Sequence, residues 1–197
     1  MVRIEKLPIP PRRAARLTRR AALGGALAGL AAGATGHGES ASVSAAESVD
    51  GIAGGGVVPN GAGDVQFSLA VVQVPREGEA PMLTGAFVLS DPNAPDGAAL
   101  IQSTELSEFT AYSTERPSAR QIIGWATVNG SGSFPFLLQV EDTSAPGAGE
   151  DTFNLVVGQA AAQFLAAQGK ACDCGQYTYG LRGSLTSGDL TAIETPA

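Results

Sequence analysis

From Asp64 onward apolar residues recur at every second position, and a period of two restricts the chain to strands. In "DVQFSLAVVQV" the residues Val65, Phe67, Leu69 and Val71 share one face, as in a half-buried strand. A charged break at Pro75–Pro81 follows. "MLTGAFVL", Met82–Leu89, then reads as a second strand, with Gly85 as a bulge candidate. Ala98–Tyr112 and Arg120–Val128 are further strands. The pair Arg120–Val128 and Ser133–Glu141 flanks "NGSG", Asn129–Gly132, a hairpin signal because Asn and Gly tolerate positive φ. Phe134, Phe136, Leu138 and Val140 give that hairpin a core face, and Phe153, Leu155 and Val157 do the same for Asp151–Val157. A last strand is expected around Leu185–Ile193. The expected class is all-β: an antiparallel sandwich or barrel of about seven to eight strands, with one short helix near 159–168. No alternation with long helices supports a parallel α/β sheet.

The N-terminus is a different material. Seven of the twelve basic residues precede residue 21, and "AALGGALAGLAAGA", Ala21–Ala34, follows them as a short uncharged apolar run. That succession is the pattern of an export signal, and it is shorter than the roughly 20 apolar residues a bilayer span needs. "LTRRAAL", Leu17–Leu23, resembles a twin-arginine motif centred on Arg19 and Arg20, with Ala22 where a larger apolar residue is usual. A general secretory signal with paired arginines is the alternative. Small residues at Val43-Ser44-Ala45 place the expected cleavage between Ala45 and Ala46. The organisation read from the sequence is therefore a signal peptide over 1–45, a flexible glycine-rich lead-in over 46–63, and a single β-domain over 64–197.

Charge divides at the same place. Residues 1–45 carry a net +5 and residues 46–197 a net −12. So acidic a domain repels nucleic acid and anionic membranes, leaving the membrane as a partner only during export. The expected location is secreted or in the cell envelope, and the expected partner an extracellular ligand or surface component that the sequence does not name. Nor does it set an oligomeric state.

The single histidine, His37, lies in the expected signal, so the mature domain has no Ser–His–Asp or Cys–His catalysis and no histidine-bound metal. Four carboxylates, Glu141, Asp142, Glu150 and Asp151, bracket "TSAPGAG" and form a candidate calcium loop, since calcium takes six to eight oxygens. The spacing is not that of an EF-hand, and a solvated strand connection turning at Pro146-Gly147 is the plainer reading. Cys172 and Cys174 are separated by one residue, too close for a relaxed ring. A strained internal disulfide, an intermolecular bridge and soft-metal binding are all open. Glu105, Glu108 and Glu115 are nominal carboxylates for glycoside chemistry. Trp125, Tyr112, Tyr177 and Tyr179 are candidates for a sugar platform, although Trp125 sits mid-strand, as core residues do.

"GWATVNGSGSFPFLLQVEDTSAPGAGEDTFNLVV", Gly124–Val157, resembles an uncharacterised β-domain of exported bacterial proteins. The matching positions are Gly124, Ala126–Gly130, Gly132 and Phe134, then Asp142, Pro146, Gly147, Gly149, Asp151 and Phe153; Ser144 replaces a glycine. "YGLRGSLTSGDLTAI", Tyr179–Ile193, is similar to its closing strand, with Tyr179 and Ser187 as departures. The resemblance implies an exported β-sandwich-like module and brings no catalytic residues. The first functional expectation is thus an exported non-catalytic β-module with a structural or binding role. The alternatives are a small secreted carbohydrate-active protein and a calcium-stabilised adhesive domain.

Overall fold

The structure, a computed structural model, describes residues 48–143, 150–166 and 174–194. All of these belong to one unit, Val43–Ala197. The expected signal peptide, with Arg19, Arg20, Ala45 and Ala46, lies outside the described residues. So do Cys172 and the centre of the acidic loop, 144–149.

Among the described residues nine strands and one helix follow in order: β1 Asp50–Pro59, β2 Asp64–Arg76, β3 Glu79–Asp91, β4 Ala99–Ala111, β5 Ala119–Val128, β6 Ser131–Glu141, β7 Thr152–Gly158, α1 Gln159–Ala166, β8 Thr178–Ser184 and β9 Ser187–Glu194. They form a single antiparallel sheet in the order β8-β7-β6-β5-β4-β3-β2-β1-β9. The all-β class and the short helix agree with the sequence. The described residues form nine strands rather than seven to eight, and the sheet is a curled half-barrel rather than two facing sheets.

Two further expectations are corrected. Asp50–Pro59, taken as flexible lead-in, is β1, paired with β2 on one side and β9 on the other. Its glycines reflect crowding: a Cβ at Gly56 would lie 2.3 Å from the Ser187 carbonyl oxygen, and one at Gly54 2.1 Å from that of Asp189. The charged break at Pro75–Pro81 is also shorter than expected. Both strands run into it, leaving a two-residue turn at Glu77-Gly78. Register runs unbroken through Gly85, opposite Val71, and shifts instead between Val74 and Arg76.

Curling follows from the core. Phe67 of β2 meets Phe153 of β7 at 4.4 Å between ring centroids, and Phe87 of β3 meets Phe136 of β6 at 5.8 Å. Strands that far apart in the order touch only if the sheet bends round on itself. Inside lie the alternate residues the sequence marks out, among them Val65, Leu69, Val71, Leu138, Val140, Leu155 and Val157. At roughly 1.5–3 kcal/mol for each large apolar side chain buried, this interior is the main source of stability.

The last two strands bring the edges of the sheet together. β8 is antiparallel to β7 and β9 to β1, so both run in the same direction, joined only by Leu185 and Thr186. Leu185 N donates to Asp151 O at 2.9 Å and Thr186 N to Val57 O at 2.9 Å. One extended run, Thr178–Glu194, therefore leans first on β7 and then on β1. The opposite side is looser: β3 and β4 pair only over Val88–Asp91 and Ala99–Gln102.

Outside the sheet, α1 covers Ile123 and Leu137 with Leu165, and Trp125 and Val156 pack against that cluster. A helix of eight residues is marginal alone and is held here by that packing.

Candidate functional site

The β5–β6 hairpin turns on Asn129 and Gly130, both at positive φ (52° and 71°), the geometry of a two-residue primed turn. A register shift between Ala126 and Val128 then sets Gln121 opposite Gln139, and β7 sets Asn154 opposite Gln139. β8 continues the row with Arg182 opposite Asn154. Period two directs these four side chains to the outer face, beside the apolar row that α1 covers.

The amides form a directed ladder. Asn154 Nδ2 donates to Gln139 Oε1 at 3.0 Å, and Gln139 Nε2 donates to Gln121 Oε1 at 3.0 Å. At the Asn154 end the sheet surface sinks into a cleft of about 320 Å³, whose lining includes Tyr112, Arg116, Gln139, Thr152, Asn154 and Arg182. Arg116 Nη1 binds Glu141 Oε2 at 2.8 Å, while its Cζ lies 5.3 Å from the centroid of the Tyr112 ring. Burial raises the Tyr112 phenol above its ordinary value against the opposing pull of Arg116, so the ring stays neutral. Arg182 is exposed and makes no ion pair among the described residues.

Each of the four candidate carboxylates can be placed among the described residues. Glu141 is buried against Arg116. Asp151, 3 % exposed, accepts from Thr143 N at 3.0 Å with Oδ1 and from Leu190 N at 2.7 Å with Oδ2. Asp142 Oδ2 accepts from Ala192 N at 3.0 Å, and its carbonyl accepts from Ser118 Oγ. Glu150 is exposed. Leu190 and Ala192 are alternate residues on the β9 edge turned away from β1, so two aspartates cap an edge that no strand covers among the described residues. Among the described residues no group of three or more Asp, Glu, Cys or His converges to hold a metal.

Both ends of the curl carry buried polar clusters. At one, Arg120 donates through Nε to Asp50 Oδ1 at 2.9 Å, through Nη2 to Glu194 Oε1 at 2.8 Å, and to the Pro117 carbonyl. Burial works against its charge, but the hydrogen bonds and charges of Asp50 and Glu194 more than offset that and hold its pKa above the usual value. At the other, Asp91, 1 % exposed, accepts from Asn60 Nδ2 at 2.8 Å, Asn93 N at 2.8 Å and Tyr179 OH at 3.0 Å. Burial, then the Asp91 hydrogen bond, push the Tyr179 phenol far up.

The remaining candidates are scattered. Cys174 is 7 % exposed and is not a free thiol. Glu105 accepts from Ser107 Oγ at 3.3 Å on an irregular part of β4. Glu108 is on the same strand and Glu115 in the β4–β5 connection. Tyr177 packs on Phe134 at 4.9 Å, Tyr179 is buried, and Trp125 lies beside α1. Of the four ring candidates only Tyr112 lines the cleft. The sequence reading passed over Arg116, Arg120, Arg182, Asp91 and the amide ladder. Their signal is the polar residue at alternate outward positions, visible only once register is known. No family model, curated protein or solved structure matches the chain.

Proposed function

We propose that the chain is an exported, non-catalytic β-module that acts outside the cytoplasmic membrane through its outer surface, in a binding or structural role. The observation that carries this reading is the filled interior. Phe67, Phe87, Phe136 and Phe153 occupy it, and the Arg120 and Asp91 clusters close its two ends. A small barrel packed with side chains has no room for a ligand inside. Any partner is then met on the outside.

The finer architecture we assign is a barrel drawn shut by Thr178–Glu194, rather than a sandwich. Twin-arginine export with cleavage near Ala46 fits the basic N-terminus and a domain that folds as one unit. The resemblance of Gly124–Val157 to exported bacterial β-domains points the same way. Bridging of Cys172 to Cys174 fits a Cys174 that is not a free thiol. The acidic surface leaves nucleic acid out of the reading. Among the described residues no set of carboxylates converges for calcium, and Asp142 and Asp151 are engaged by backbone amides.

The test is fractionation of cells expressing the chain and its Arg19→Lys/Arg20→Lys variant. The proposal expects a processed product beginning near Ala46 outside the cytoplasm, lost in the variant. Uncleaved chain retained in the cytoplasm in both cases contradicts it.

A further inference from the structure

We propose that the cleft framed by Tyr112, Arg116, Asn154 and Arg182 is a binding site for a carboxylated sugar, a uronic-acid unit of an acidic saccharide. The inference rests on the reading above in taking the outer surface as the place where the module meets its ligand.

Charge selects the carboxylate. The described residues include four arginines, Arg76, Arg116, Arg120 and Arg182, and two of them line this one cleft. Arg76 faces Glu79, and Arg120 is held between Asp50 and Glu194. Arg116 shares its charge with a single buried carboxylate through one nitrogen, leaving further N–H donors unused there. Arg182 has no ion pair among the described residues. On a domain of net −12 the cleft is therefore a local positive spot. A planar guanidinium matches a carboxylate in bidentate fashion, which gives geometry as well as charge.

The amide ladder selects the hydroxylated scaffold. Its hydrogen bonds run from Asn154 through Gln139 to Gln121, so the chain of donors points away from the cleft. Asn154 Oδ1 is left as an acceptor at the cleft end, on the residue paired in register with Arg182. A fixed carbonyl acceptor beside a cation recognises a hydroxyl next to a carboxylate. The neutral Tyr112 ring, with Arg116 over one face, lines the same cleft and supplies apolar surface for a sugar ring. At about 320 Å³ the cleft is at the small end of ligand sites, suited to one ring rather than a long oligomer.

The experiment is calorimetric titration of the full chain with methyl glucuronide, methyl glucoside and N-acetylglycine. These present the carboxylated sugar, the neutral sugar and a carboxylate without the sugar. We expect methyl glucuronide to bind at least about tenfold more tightly than either of the others. Arg182→Gln, at an exposed position, should bring it down to the level of the glucoside with an unchanged thermal midpoint. Asn154→Ala should weaken the glucuronide and leave N-acetylglycine unaffected. Equal binding of glucuronide and glucoside, equal binding of glucuronide and N-acetylglycine, or full binding in Arg182→Gln each overturns the proposal. Failure here leaves the fractionation result untouched, and cytoplasmic retention would leave this titration untouched.

Discussion

Asp151 shows how one side chain is spent. Both carboxylate oxygens take backbone N–H groups, one from Thr143 two residues past β6 and one on β9, and its own carbonyl receives Leu185 N. It ties three segments together where the sheet edges meet. Asp151→Asn keeps the shape but turns one acceptor into a donor facing an N–H, so we expect a loss of about 1–3 kcal/mol in chemical denaturation. A variant as stable as the parent would contradict the role. Arg120 is the corresponding residue at one end of the curl, 3 % exposed with partners 36 % and 62 % exposed. Because those carboxylates regain water when the arginine is removed, Arg120→Met should cost about 2 kcal/mol, less than a fully buried pair. The tyrosines set an alkaline limit. Tyr179, Tyr177 and Tyr112 all have folded values raised above 10.0, first by burial. The unfolded chain then loses phenol protons that the folded chain keeps. Stability is full below the ordinary value and falls as pH climbs past it toward the folded values. Denaturation midpoints that stay level above that value would contradict the burial of these rings.

At the scale of elements, β3 and β4 differ from the rest. No ladder joins Glu79–Phe87 to Ser103–Ala111, and β4 has register shifts at Ser103/Glu105 and Leu106/Glu108. Hydrogen exchange should therefore be fast at those amides of Glu79–Ala86 that face β4, and slow across Phe136–Val140, which β5 and β7 flank. Uniform protection along β3 would contradict the split. The same elements explain what the sequence could and could not reveal. β2 was legible because one face is buried and the other wet, and β6 and β7 because their core face repeats large apolar residues at every second position. β1 was not, because a strand pressed between β2 and β9 needs small residues, and glycine hides a strand as readily as it marks a linker. The expected last strand, Leu185–Ile193, covers β9 and leaves out β8, because no turn marks a boundary between them. The amide ladder was hidden by one residue: counting straight from Val128 opposite Ser131 sets Gln121 against Leu138, and only the shift at Ala126/Val128 restores Gln139.

Across the whole molecule, those pieces make one object. A meander of eight antiparallel strands curls until its last strand can leave β7 and lie on β1, and two aspartates cap the edge that remains. Class and core face were readable from the period of two. Curvature was not, because it depends on which buried rings meet, and that is a property of three dimensions. The acidic loop is a related case: sequence shows where carboxylates cluster but not which of them backbone amides hold, as they hold Asp142 and Asp151. On this account calcium should leave the thermal midpoint unchanged, and a shift abolished by Asp142→Ala would contradict it. The most direct measurement of the central claim is a set of proton–proton contacts in the NMR spectrum of the folded protein. The expected result is contacts between the Phe67 and Phe153 rings together with cross-strand contacts from Ile52 to Ala192 and from Leu155 to Leu181. Cross-strand contacts without the ring contact would mean an open sheet with an accessible face, and would contradict a filled interior and a module that works only from its outside.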